Sequence, residues 1–299
     1  MVTGVHLRWH QIKKLTLYQH FSRSVVIGFI YLSVQELSYS SMAISLHSSV
    51  VRMRIGSEFL VKAQGNNLNP NFQEFFEDRN PEISELQRSL GFLNATRWRR
   101  SVRQFDPQRK IDSLIIINAI QAASTSPSGA NREPWLFGVV DSSEVKSKIR
   151  SAAEKVEKEF YQKLAPDEML ETLKPFKTNE KKKHLEDASH LIVIFAENYS
   201  FDQDGRKQKN YYVKESVCIA TGILISALTY SGICTLTHTP QPALFLNEVL
   251  NVESRFKPVL ILACGYPGKD LDLPDLKKKP LDEICFSNSK MNIKSIQQA

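Results

Sequence analysis

From about residue 85 onward the apolar positions fall into two kinds of segment, short unbroken runs and longer stretches spaced at three and four. Trp135–Val140 (WLFGVV), residues 190–196 (HLIVIFA) and residues 258–264 (PVLILAC) have strand length and almost no polar interruption, which predicts buried strands. Residues 233–236 predict a further short strand. Val145, Ile149, Ala152, Val156 and Phe160 recur at the helical spacing and predict an amphipathic helix. Asp112 is placed to cap a helix through residue 120, which the turn chemistry of residues 124–129 closes. Residues 215–230 are apolar nearly all round, the pattern of a central buried helix, with Gly232 as its stop. Residues 244–250 predict a short helix. Helices and strands mingle in one run, and no G-x-G-x-x-G follows any strand. The expected class is therefore α+β rather than a dinucleotide-binding doubly wound sheet.

The region before this body, residues 1–84, reads as leader and linker. Residues 25–32 (VVIGFIYL) form an apolar run behind basic residues. A spanning helix needs about 20 apolar residues, and extending the run toward residue 46 brings in Gln35, Glu36 and several serines. A weak membrane anchor, the core of a signal peptide and a leader without a role all fit. A polar, Asn-rich stretch over residues 62–85 links it to the domain at 85–286, and residues 287–299 form a tail. The expected location is the cytoplasm, or a membrane with the domain on the reduced, cytoplasmic side.

Composition narrows the class without naming a function. With 42% hydrophobic and 24% charged residues over 299 positions, collagen-like, disordered and mini-protein classes are excluded. The net charge of +7 is uneven: residues 1–60 hold six Lys/Arg against Glu36 and Glu58. The body is nearly balanced, which argues against nucleic acid as a partner. The cysteines, at 218, 234, 264 and 285, show no CxxC spacing, so neither a disulfide framework nor a metal site is expected.

Four clusters carry candidate chemistry. Arg99, Arg100, Ser101, Val102 and Arg103 (RRSVR) set three guanidiniums and a hydroxyl within reach of one phosphate dianion. Residues 126–130 (SPSGA) form a turn in which Gly129 permits close backbone approach and Ala130 leaves an N–H for a ligand oxygen. Glu157 and Tyr161, four apart, share one helix face. With a lysine from residues 181–183 that face offers a carboxylate, an ammonium and a hydroxyl to an amino acid. Residues 235–240 (TLTHTP) end a strand in hydroxyls before a proline. Taken singly, each also fits a solvated patch or an ordinary turn.

Together, RRSVR, SPSGAN-REPW, ATGILISAL with the Thr-rich strand end, and GYPGKDLDLPDLKKKPLDEI resemble the FMN-dependent nitroreductase superfamily. Within it they are similar to the iodotyrosine deiodinase family, over roughly residues 97–284. The resemblance implies a nitroreductase-like α+β fold, a central mixed sheet flanked by helices, and an intertwined homodimer. It implies that Arg99, Arg100, Ser101, Arg103 and Lys278 hold FMN. Pro127 and Ser128 would reach the same flavin from the other subunit. Thr237, His238 and Thr239 would lie at the flavin, with the Thr239 hydroxyl, the implied catalytic group, directed at N5. For the substrate, a mono- or diiodotyrosine, it implies Ala130 N–H at the phenolate, Glu157 and Tyr161 at the ammonium, and Lys182 at the carboxylate. The implied activity is reductive removal of halide, with NADPH as the ultimate reductant. A general nitroreductase or quinone reductase, and a non-catalytic flavin-binding regulator, remain open beside it. Two departures stand out: Lys278 occupies a position where arginine is expected, and His238 takes the place of a threonine.

Overall fold

The computed structural model describes residues 83–288. The apolar segment at 25–46, the rest of the leader up to residue 82 and the tail beyond residue 288 lie outside the described residues.

Helix α1 (Glu85–Arg97) begins at a capping box, in which Ser84 accepts from the Gln87 N–H and the Gln87 side chain accepts from the Ser84 N–H. Helix α2 (Ser113–Ser124) starts where the sequence predicts, with the Asp112 carboxylate accepting from the Leu114 N–H at 2.8 Å. Strand β1 (Trp135–Val140) leads into α3 (Ser143–Glu159), capped by Ser142. A π-helical turn (Phe160–Leu164), helix α4 (Asp167–Leu173), a 3-10 turn (Lys174–Phe176) and the short α5 (His184–Asp187) then carry the chain to β2 (His190–Glu197). A polar hairpin, β3 (Tyr199–Phe201) with β4 (Lys207–Lys209), precedes α6 (Val213–Tyr230). Strand β5 (Cys234–His238), α7 (Phe245–Leu250), β6 (Phe256–Gly265) and α8 (Leu281–Ile284) complete the order.

The sheet runs β1-β2-β6-β5, and its three ladders are antiparallel. Among the described residues, the expected mixed character is confined to one parallel bridge, Ser101 to Thr235, at the β5 edge. Strand alternation feeds two cores. Leu191, Val193 and Phe195 of β2, with Ile261 and Ala263 of β6, face α3, α5 and α7. Ile192, Ile194 and Ala196, with Leu262 and Cys264, face α2 and α6. Helices therefore cover both faces, which explains why β2 and β6 read as continuous apolar runs. Pro258 sits in β6 at the register shift opposite Ile194 and Phe195, a place where a missing N–H breaks no regular ladder.

Helix α6 corrects one expectation. Its buried residues are Ser216, Val217, Ala220, Thr221, Leu224 and Leu228, while Cys218, Ile219, Gly222 and Tyr230 are exposed. Among the described residues, one apolar face of this helix is thus left uncovered. Helix α1 buries none of its residues and exposes Leu86, Leu90, Phe92 and Leu93.

Candidate active site

The RRSVR segment is drawn out beside the β5 edge. Val102 donates its N–H to Thr235 O at 3.1 Å, and Asp106 donates to Tyr266 O at 2.9 Å. Val102 and Phe105 are buried under the strand, so the intervening and preceding polar side chains turn outward. Gly265 makes this seating possible, since a Cβ there would stand 2.7 Å from the Phe105 ring. The segment opens into a cleft of about 350 Å³ lined by Arg99, Arg100, Ser101 and Arg103 on one side. Leu273, Pro274, Leu276 and Lys278 of the C-terminal segment line the other, so a residue almost 180 positions away joins the arginine cluster. Phe176, from the 3-10 turn after α4, completes the wall, and Lys177 beside it pairs with Asp272.

This donor set fits the phosphate of FMN. Four guanidiniums, one ammonium and two hydroxyls gather around a single opening, Thr96 and Arg97 at the end of α1 adding to the RRSVR segment and Lys278. Burial lowers the pKa of Arg103 from the usual arginine range, the mark of a cation partly removed from water.

Next to the cleft, α3 carries its buried face to a carboxylate. Val145, Ile149 and Ala153 are buried at successive steps of four, and the next step is Glu157. Ala152, Val156 and Phe160, expected on the inner stripe, are half-buried flanks instead, because the contact row follows the i, i+4 ridge. One step further, the π-helical turn holds Tyr161, whose hydroxyl donates to Thr178 Oγ1 at 3.4 Å. From the approach to α5, Lys182 reaches back, its Nζ 2.9 Å from Glu157 Oε2 and 5.2 Å from the Tyr161 ring centroid. The same ammonium donates to Asn179 O at 2.7 Å, and the Lys182 N–H donates to Glu154 Oε1 at 2.8 Å. The lysine and glutamate side chains are only 6% and 14% exposed. Of the three consecutive lysines, Lys181 and Lys183 are exposed, so the fold selects the middle one.

The strand end divides its polar residues by alternation. Thr237 and Thr239 are exposed, whereas His238 between them is buried. His238, expected at the cofactor, faces the opposite way: its Nε2 lies 3.7 Å from Glu157 Oε1 and its ring packs edge-on against His184. His184 was not apparent from the sequence; its one signal is the two-residue offset from Lys182, which sends both inward. Burial pushes the pKa of His238 down to about 4 and that of His184 to about 3, with the Lys182 charge acting in the same direction on both.

The SPSGA turn is built from strain. Ala130, Asn131 and Glu133 have φ of 52°, 50° and 46°. Ser128 braces the turn by accepting from the Glu133 N–H through its Oγ at 2.9 Å. Gly129 is required by contact, for a Cβ would stand 2.9 Å from both Tyr211 O and the Tyr212 ring. Among the described residues the Ala130 N–H donates to no protein acceptor. Pro127, Ser128 and Ala130 do not line the arginine cleft of their own chain, and neither do Thr237 and Thr239.

The chain is similar to known proteins in sequence and fold. Residues 96–266 match the model of the Nitroreductase family. Iodotyrosine deiodinase of Haliscomenobacter hydrossis is 43% identical over 194 residues, 65% of this chain and 87% of that protein. Iodotyrosine deiodinase 1 of Homo sapiens is 39% identical over 214 residues, 71% of this chain and 74% of its own length. A crystal structure of oxidized iodotyrosine deiodinase bound to FMN and 3-iodo-L-tyrosine superposes with a TM-score of 0.57 at 26% identity, over 67% of this chain and 100% of that one. A BluB-like flavoprotein from Clostridium difficile, 21% identical with a TM-score of 0.51 over 66% of this chain and 98% of its own, shares the fold. A family match over most of the described domain, together with relatives of this identity, means that the chain belongs to the nitroreductase family and, inside it, to the iodotyrosine deiodinases.

Proposed function

We propose that the protein removes halide reductively from halogenated tyrosine, with FMN held at the arginine cleft. The observation that carries this reading is the buried Glu157–Lys182 pair beside Tyr161. Each member is the counter-charge for one end of an amino-acid backbone. An entering zwitterion exchanges one ion pair for two, its ammonium meeting Glu157 and Tyr161 and its carboxylate meeting Lys182. The exchange keeps every buried charge compensated, whereas a singly charged ligand entering the pair would leave one charge unmatched and a neutral nitroaromatic would gain nothing from either group.

At the other end of the substrate, the Ala130 N–H is suited to a phenolate. An ortho halogen lowers the phenol pKa from about 10 toward neutrality, so an oxyanion-type donor favours the ionised halotyrosine over tyrosine. Arg99, Arg100, Ser101, Arg103 and Lys278 hold the FMN phosphate, and Thr237 and Thr239 face the flavin from the strand end. The chemistry that reduced FMN supplies when bound is a two-electron reduction, which with one proton converts halotyrosine into tyrosine and halide. NADPH is the proposed source of those electrons.

A homodimer completes the site. The apolar faces of α1 and α6 that the described residues leave exposed supply a surface for a second copy. Pro127, Ser128 and Ala130, which stand apart from the cleft of their own chain, belong in this reading to the cleft of the partner. The test is to load the full chain with FMN, reduce it with dithionite, and follow iodide and tyrosine from 3-iodo-L-tyrosine, with sedimentation measured on the same sample. Stoichiometric iodide from a dimer is expected. Turnover of nitroaromatics without iodide release would transfer the protein to the general nitroreductases.

A further inference from the structure

Behind the Glu157–Lys182 pair lie two imidazoles that the halotyrosine reading leaves without a task. His184 and His238 are 8% and 7% exposed, and among the described residues the Nε2 of each is buried with no hydrogen-bond partner. Their rings meet edge-on, with centroids 5.5 Å apart and planes at 69°. The Glu157 carboxylate divides its two oxygens between neighbours: Oε2 faces Lys182 at 2.9 Å, and Oε1 faces His238 Nε2 at 3.7 Å. A shift of less than about 1 Å brings the second contact to hydrogen-bond length.

The imidazole is suited to this place because it stays neutral. Burial and the nearby Lys182 charge both disfavour the imidazolium, while the glutamate charge is already met by that lysine. A neutral Nε2–H tautomer donates to the carboxylate without consuming the charge that an ammonium needs.

Deepening the halotyrosine reading and resting on it, we propose that His238, backed by His184, is a positioning residue that donates from Nε2–H to Glu157 Oε1 and holds the carboxylate toward the substrate ammonium. Its work is greatest when Lys182 turns to the substrate carboxylate. At that point Glu157 loses its lysine contact, and the imidazole is the neighbour that keeps the carboxylate plane fixed. The fold supports this division of labour. Strand alternation sends His238 away from Thr237 and Thr239, so the histidine acts on the amino-acid end of the substrate and not on the flavin face.

The test compares the FMN-loaded full chain with His238→Phe and His238→Gln, all confirmed folded by thermal melting. With 3-iodo-L-tyrosine, His238→Phe raises KM about 5- to 10-fold with kcat within about twofold, and the Gln amide, a neutral donor, restores KM to within about twofold. With 2-iodophenol, which has no ammonium, all three proteins share one KM. Nitrogen NMR of the wild type shows the Nε2–H tautomer of His238. A wild type that releases iodide with a KM unmoved by His238→Phe would overturn the hydrogen bond and leave the halotyrosine reading standing. An equal loss in the Phe and Gln variants would likewise overturn it in favour of ring packing. A flavin-loaded wild type that releases no iodide would end both readings.

Discussion

Replacing Lys182 by methionine separates what the buried ion pair does for folding from what it does for substrate. The change keeps most of the side-chain volume and removes the ammonium that stands 2.9 Å from Glu157 Oε2 and 2.7 Å from Asn179 O. With the glutamate side chain 14% exposed, its charge is left largely desolvated and uncompensated. Breaking a buried pair from one side costs about 3–5 kcal/mol. For a domain of this size that is a fall in Tm on the order of 10 °C. The double variant Lys182→Met, Glu157→Gln has no orphaned charge and recovers most of the loss.

Substrate affinity follows a different rule, and this makes the experiment decisive. Loss of one charge-assisted contact to the amino-acid carboxylate removes about 1.5–3 kcal/mol, or about 10- to 100-fold in Kd for 3-iodo-L-tyrosine. The double variant gains stability but regains no affinity, because it has lost the ammonium contact as well. Flavin fluorescence quenching measures Kd, and scanning calorimetry of the same samples measures Tm. A single variant that binds within twofold of wild type while retaining FMN would refute the exchange of one ion pair for two. A double variant as unstable as the single one would show that the pair is not an energetic unit.

Three further outcomes follow from the same geometry. Arg103→Met should raise the Kd for FMN by about 10- to 100-fold, measured by reconstitution of the apoprotein, with halotyrosine affinity of the loaded fraction little changed. Acid should destabilise the protein through its buried imidazoles: His184 and His238 titrate at about 3 and about 4 when folded, below the ordinary value of 6.5, so the unfolded chain takes up protons first. Stability is full above about pH 6.5 and falls as pH drops toward 4, by about 1.4 kcal/mol per pH unit for each histidine, a slope that the double Phe variant should flatten in urea melts. Lys146→Met should cost about 2–3 kcal/mol in chemical denaturation, because the buried Lys146 Nζ donates to Glu186 O at 3.0 Å and to Ala188 O at 2.6 Å and no other group replaces it.

The elements that pack on both faces were legible because burial leaves a simple trace. Strands β2 and β6 are apolar at nearly every position, and the structure covers them with helices on either side. The β3–β4 hairpin left no such trace: Lys207, Gln208 and Lys209 are all exposed, so no apolar alternation marks a strand. It is held instead by its turn, where Asp202 accepts from the backbone N–H groups of Asp204 and Arg206. Apolarity also misled once, at α6, whose sequence reads as buried all round. Composition records that a segment is apolar but not which of its faces the neighbouring elements cover, and Ile219 and Tyr230 stay exposed among the described residues.

The site shows the same limit more sharply. Glu157 and Tyr161 could be paired from their spacing, since four residues of helix return to one face. Lys182 could not be told from Lys181 and Lys183 by spacing or charge. What separates them is direction: Lys182 and His184 are buried while Lys181 and Lys183 are exposed, an alternation imposed by the chain entering α5. A buried lysine is costly without a carboxylate, and a buried imidazole beside it is costly in its charged form. Each polar residue on this inner side is therefore tolerable only because of the others, which arrive from α3, β5 and the approach to α5. Such mutual dependence has no signature in any one segment. Removing one member should accordingly alter the rest: with Glu157→Gln, the positive charge of Lys182 loses its partner and bears more strongly on His238, which should hold the imidazole neutral to still lower pH, a shift that histidine NMR titration reads directly.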